Sequence, residues 1–149
     1  PAKPQPTGPD YLLVDGYNVI FAWDELRKMA ETNLDAARRR LMDILCNYAG
    51  YKRCVPILVF DAYKVRGGTR EVEKHHNLYV VYTQEAETAD MYIERTTHEL
   101  SKDHRTRVVS SDGAEQIIVL GNGALRVSAR AFAEEVAAVE KEIREFLQN

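Results

Sequence analysis

Cysteine is scarce in this 149-residue chain: only Cys46 and Cys54 occur, too few for a disulfide scaffold and at no metal-ligand spacing. A buried, reduced pair is the expectation, and a cytoplasmic location goes with it. Long apolar runs are missing too. No stretch approaches the ~18–20 residues needed to cross a bilayer, and the first ten residues lack the apolar core of a signal peptide. There is no excess of positive charge, since 20 Lys+Arg face 23 Asp+Glu for a net charge of −3. A simple polyanion binder is basic, so the balance counts against nucleic acid, although total charge does not say where charges sit. Proline is nearly confined to residues 1–9, which hold four of the five. That opening is expected to be an extended linker. It is either a tether to a longer polypeptide or the start of a free-standing protein that has lost its methionine.

What remains is one ordinary globular domain, residues 10–149, long enough to bury roughly 68–70% of its unfolded surface. Its apolar pattern alternates between two periods. Tyr11-Leu-Leu-Val14, Val55–Phe60, Leu78–Tyr82, Arg107–Ser110 and Ala124–Val127 read as five strands, the first two buried on both faces. Residues 33–49 carry a helical stripe that Thr32 or Asn33 can cap, a second helix is expected over 86–101, and Ser128 caps a last one. Residues 61–77 read as a loop, and a short helix is expected after Gly113. Strands alternating with helices predict an α/β sandwich with a mainly parallel five-stranded sheet and helices on both faces.

Three strands end in aspartate: Asp15, Asp61 and, after Ser110-Ser111, Asp112. In an open parallel sheet the carboxyl ends share one edge, so these side chains should converge. Glu87 and Asp90, expected on one face of the helix over 86–101, come to the same edge. Converging carboxylates repel unless a cation compensates them, and a hard divalent ion that keeps water and accepts phosphate is the usual solution. The competing reading makes one or two of these aspartates helix caps or turn residues. No histidine adjoins a nucleophile elbow, and Gly121-Asn122-Gly123 lacks the context of a dinucleotide loop.

Basic residues border this edge. Lys64, Arg66, Arg70 and Lys74 follow Asp61, and Arg126 and Arg130 flank the last strand. They are expected to contact RNA phosphates, with Arg126 equally able to bridge to a helix C-terminus or a site carboxylate. Tyr17, Phe21, Trp23 and Tyr63 offer stacking surfaces for unpaired bases, against core packing as the alternative. Carboxylates ringed by cations and aromatics fit a phosphodiester site for a flexible single strand.

Leu13-Val-Asp-Gly-Tyr-Asn-Val-Ile20, Val59-Phe-Asp-Ala-Tyr63, Glu87-Thr-Ala-Asp90, Ser110-Ser-Asp112 and Gly123-Ala-Leu-Arg-Val-Ser-Ala-Arg130 together resemble the YacP-like branch of the NYN domains, within the PIN-like nuclease superfamily. The resemblance implies strand order 3-2-1-4-5 and a metal-dependent endoribonuclease. By motif position, Asp15 and Asp90 take the principal metal-binding roles, Asp112 is the third acid, Asp61 supports them, and Asn18 orients Asp15 or a bound water. One or two Mg²⁺ or Mn²⁺ ions are implied. So are single-stranded mRNA and the ribosome as partners, and similar domains end some translation GTPases. Two other functions compete: a non-catalytic RNA- or ribosome-docking module, and a small-nucleotide phosphohydrolase. Retained acids weigh against the first, and the second needs a closed base pocket.

Overall fold

The computed structural model describes residues 8–61, 71–110, 118–119 and 123–149. Its centre is β1 (Tyr11–Asp15), flanked in parallel by β2 (Val55–Phe60) and β5 (Thr106–Ser110). Next to β2 runs β4 (Leu78–Tyr82), and next to β5 runs β7 (Leu125–Ser128), both parallel to their neighbours. These are the five strands expected, in the expected order. Two short antiparallel strands close the edges, β3 (Glu71–His75) beside β4 and β6 (Ile118–Val119) beside β7. The full order is β3-β4-β2-β1-β5-β7-β6.

Side chains of β1 alternate between two cores, as strand geometry requires. Leu12 and Val14 join Leu58, Phe60 and Val109 on one face, under helices α1 (Gly16–Ala22), α2 (Asp24–Thr32), α3 (Leu34–Lys52) and α5 (Ala129–Gln148). Leu13 joins Ile57, Val59 and Val108 on the other, under α4 (Ala89–Leu100). Three layers result. Asn33 caps α3 by accepting from the Ala36 amide, and Ser128 caps α5 by accepting from Ala131, each at 3.0 Å.

Three expectations need correction. Residues 71–75, read as loop, pair with β4 through a two-residue turn in which His76 takes φ 58°. Every residue of β3 is exposed, so it has no apolar alternation to betray it. Helices α1 and α2 cover a stretch to which the sequence assigned no element. The apolar run of α1 lacks a polar face, and α2 fully buries only Leu26. Ile118 and Val119 are extended rather than helical. The cysteines are free thiols, but each is half-buried, with Cys46 Sγ donating to the His75 carbonyl at 3.4 Å.

Candidate functional site

Asp15 is the last residue of the central strand, and α1 starts at the next position. Gly16 makes that turn possible, because a Cβ there would lie 2.3 Å from the Phe60 ring. The Asp15 side chain is 5% exposed. Asn18, one turn into α1, donates from Nδ2 to Asp15 Oδ2 at 2.6 Å, the orienting contact that the motif implies.

Asp90 arrives from the opposite layer. The segment before α4 is fixed at several points. Thr83 N–H donates to the Phe60 carbonyl at 3.0 Å, which carries β4 one residue further along β2. The Thr83 hydroxyl donates to the Glu87 carbonyl at 2.8 Å, and Thr88 caps α4 by accepting from Met91. Asp61, at the end of β2, accepts from the Ala89 amide at 2.5 Å and so ties the first turn of α4 to the sheet edge. Asp90 is the next residue and is exposed.

Burial pushes the Asp15 carboxyl up to about 7, and Asp90 adds to this through its charge and a side-chain hydrogen bond. Asp61 also raises it by charge, while Asn18 works the other way. Among the described residues no lysine or arginine pairs with Asp15, Asp61 or Asp90. Two hard oxygen donors held together with no countercharge among the described residues fit Mg²⁺ or Mn²⁺, ions that take one or two carboxylates and complete their shell with water and phosphate. No three His, Cys, Asp or Glu side chains among the described residues are placed to enclose a metal. The remaining acid of the motif, Asp112, lies outside the described residues.

Glu87 does not join the pair. It precedes the helix, is buried, and is ion-paired to Arg95 on the next turns of α4, so it braces the segment that carries Asp90. The expected shared face of Glu87 and Asp90 failed because Thr88, not a residue before 86, caps the helix.

The family model that describes the YacP-like NYN domain matches residues 12–149. The chain belongs to this family. A relative named uncharacterized protein YacP, from Bacillus subtilis (strain 168), is 38% identical over 135 residues, covering 90% of this chain and 79% of its own. The crystal structure of Rae1 (YacP) from Bacillus subtilis matches with a TM-score of 0.77 at 37% identity, covering 93% of this chain and 80% of that one. Its W164L mutant matches at 0.76 and 36%, covering 91% and 80%.

In this YacP-like NYN domain the expected RNA contacts divide. Lys64, Arg66 and Arg70, with Tyr63, lie outside the described residues. Lys74 sits on β3 opposite Tyr79, with Nζ 5.5 Å from that ring's centroid. This is three strand positions, about 10 Å, short of the carboxyl edge, so its expected place beside the acids is corrected. Arg130 is exposed in the first turn of α5 and lines an approximately 420 Å³ groove with Trp23 and Glu140. Arg126 is half-buried on β7 and donates from Nε to the Ser110 hydroxyl at 2.9 Å, which steadies the end of β5.

Tyr17 is also corrected. Its ring packs 4.9 Å from Phe60, its hydroxyl accepts from Arg38 at 3.1 Å, and it is 5% exposed, so no base can reach its face. Trp23 is a packing residue as well, stacked near Phe132 with its indole N–H donating to the Ala129 carbonyl at 2.7 Å. Arg95 was missed by the sequence reading, since nothing local marks an arginine eight residues beyond its partner.

Proposed function

We propose that this domain is a Mg²⁺- or Mn²⁺-dependent endoribonuclease that hydrolyses internal phosphodiesters of single-stranded RNA, with mRNA on the ribosome as its working substrate. The observation that carries this reading is the meeting of Asp15, from the end of β1, with Asp90, from the first turn of α4. Buried negative charge is of no use to a module that only docks on RNA, whereas a cation site requires it.

Asp15 and Asp90 would hold the ion, with Asp112 as the third acid implied by the family motif. When bound, a divalent ion lowers the pKa of water and offsets charge on the non-bridging phosphate oxygens. The chain's own residues supply position. Asn18 fixes one oxygen of Asp15. Asp61 anchors α4 and hence Asp90. Water attacks phosphorus and the bond to the 3′-oxygen breaks, leaving a 5′-phosphate and a 3′-hydroxyl. No side chain acts as nucleophile.

The test is cleavage of a labelled single-stranded RNA with Mg²⁺ or Mn²⁺, with and without EDTA, beside the same assay on free nucleotides. Internal cleavage that EDTA abolishes, and that Asp90→Asn lowers at least about 100-fold with folding intact, is expected. A parent-like rate for that variant overturns the mechanism, and hydrolysis of nucleotides alone moves the reading to a phosphohydrolase.

A further inference from the structure

We infer that Arg38 binds a phosphate of the single-stranded RNA beside the acid pair, an assignment that rests on the nuclease reading above and names a contact that seats its substrate. The topology brings Arg38 to the right edge. Helix α3 returns the chain from the carboxyl edge, where β1 ends, to the start of β2 at Val55, so its first turns lie at that edge. Arg38 opens the second turn.

The side chain is held inward rather than left in water, with 14% of it exposed. Nη1 donates to the Tyr17 hydroxyl at 3.1 Å and Nη2 to Asp35 at 3.2 Å. Tyr17 follows Asp15 by two positions, and its ring packs on Phe60, the residue before Asp61. Burial pushes the hydroxyls of Tyr17 and of Tyr82, the last residue of β4, upward, and the Arg38 charge opposes this at both. Asp61 acts on the same Tyr17 hydroxyl with the opposite sign. The guanidinium therefore stands among the ends of β1, β2 and β4. It neighbours the acids without being spent on them, since among the described residues Asp35 is its one ion-pair partner.

That leaves a cation with donors to give. Of a guanidinium's five N–H groups, Tyr17 takes one and Asp35 another, and nothing else among the described residues bonds the rest. Asp35 is shared with Arg39 as well, so the cluster keeps a surplus of positive charge. A phosphate presents the paired acceptors that the guanidinium fork matches, and partial removal from water strengthens the attraction. Because two bonds already fix the side chain, little rotamer freedom is lost on capture. The acid pair repels the strand it would cut, and a fixed cation at the same edge offsets that repulsion for a neighbouring phosphate.

The experiment compares parent, Arg38→Ala, Arg38→Lys and Tyr17→Phe on one dye-labelled single-stranded RNA. Affinity is read by fluorescence anisotropy in EDTA across a salt series, and KM is read in Mn²⁺. Arg38→Ala is expected to weaken binding and raise KM about 5- to 50-fold. It should also lower the slope of log affinity against log salt by about 0.7, the loss of one phosphate contact. Arg38→Lys keeps the charge without the fork, so its slope should match the parent's at an intermediate affinity. Tyr17→Phe removes the hydroxyl that steadies Arg38 and should keep the parent's slope. Urea unfolding checks each fold, and Arg38→Met, which preserves the apolar stem, replaces alanine if that variant unfolds. A folded, neutral variant with the parent's affinity and slope overturns the contact while the nuclease reading stands. So does a Tyr17→Phe defect equal to that of Arg38→Ala, which would reduce Arg38 to a brace for the tyrosine. If the parent neither binds nor cleaves RNA, both readings fall together.

Discussion

At the scale of single residues, Asp15 has the most measurable consequence outside catalysis. Its carboxyl titrates near 7 in the fold against an ordinary value of 3.8, so the folded chain holds that proton more tightly than the unfolded one. The Asp15 contribution to the stability of the metal-free protein is therefore fullest below about pH 4 and is lost as pH rises through about 7. Asp15→Asn should remove this slope and stabilise the domain at pH 8 by roughly 1–3 kcal/mol in EDTA. Urea unfolding at several pH values checks it, and a variant that keeps the parent's slope would assign the titration to another group. Asp61 separates capping from charge. Asp61→Ala removes the acceptor for the Ala89 amide and should cost about 0.5–2 kcal/mol together with most of the activity. Asp61→Asn keeps an acceptor oxygen and should restore much of both.

At the scale of elements, the parts that hold the acids were legible unevenly. Buried strands such as Val55–Phe60 show themselves through continuous apolar runs ending in aspartate, and parallel order then brings Asp15 and Asp61 to one edge. The pairing of Asp15 with Asn18 was legible only through the family motif that the resemblance supplies. The edge strand Glu71–His75 was illegible because exposure on every residue erases alternation. Tyr17 was misread because a residue two positions after the acid could face either the solvent or the core, and only the Phe60 ring decides between them. Helix α4 is the element most open to a test. Arg95→Ala removes the ion pair that Arg95 makes with the buried Glu87 carboxylate, which should cost about 1–3 kcal/mol. Activity should fall further than stability explains, because the segment that sets Asp90 loosens. Thermal melts paired with cleavage rates below the transition separate the two effects.

For the whole molecule, a net charge of −3 limits what free RNA can gain. Counterion release is the main sequence-independent source of affinity for nucleic acid, and a chain without a large basic surplus has little of it. Slow, poorly selective cleavage of naked RNA is expected, with much faster cleavage where a docking surface raises the local RNA concentration. Rates on one mRNA, free and in a stalled ribosome complex, measure the difference. Equal rates and identical cut sites would leave a plain, unassisted ribonuclease.

The outer edge beyond β4 bears on a different property, the resistance of the folded protein to self-association. A sheet edge exposes unpaired amides and carbonyls, an invitation for a second chain to add its own strand. Here that edge is Glu71-Val-Glu-Lys-His75, short, fully exposed and charged at three of its five positions. Lys74, too far along the strand to serve the acids, acts here as a guard against such pairing. Replacing Glu73 and Lys74 together by valine would leave the cores and the acids untouched. It would put three consecutive β-branched residues at the centre of this edge strand, and light scattering of the concentrated variant should rise where that of the parent stays flat.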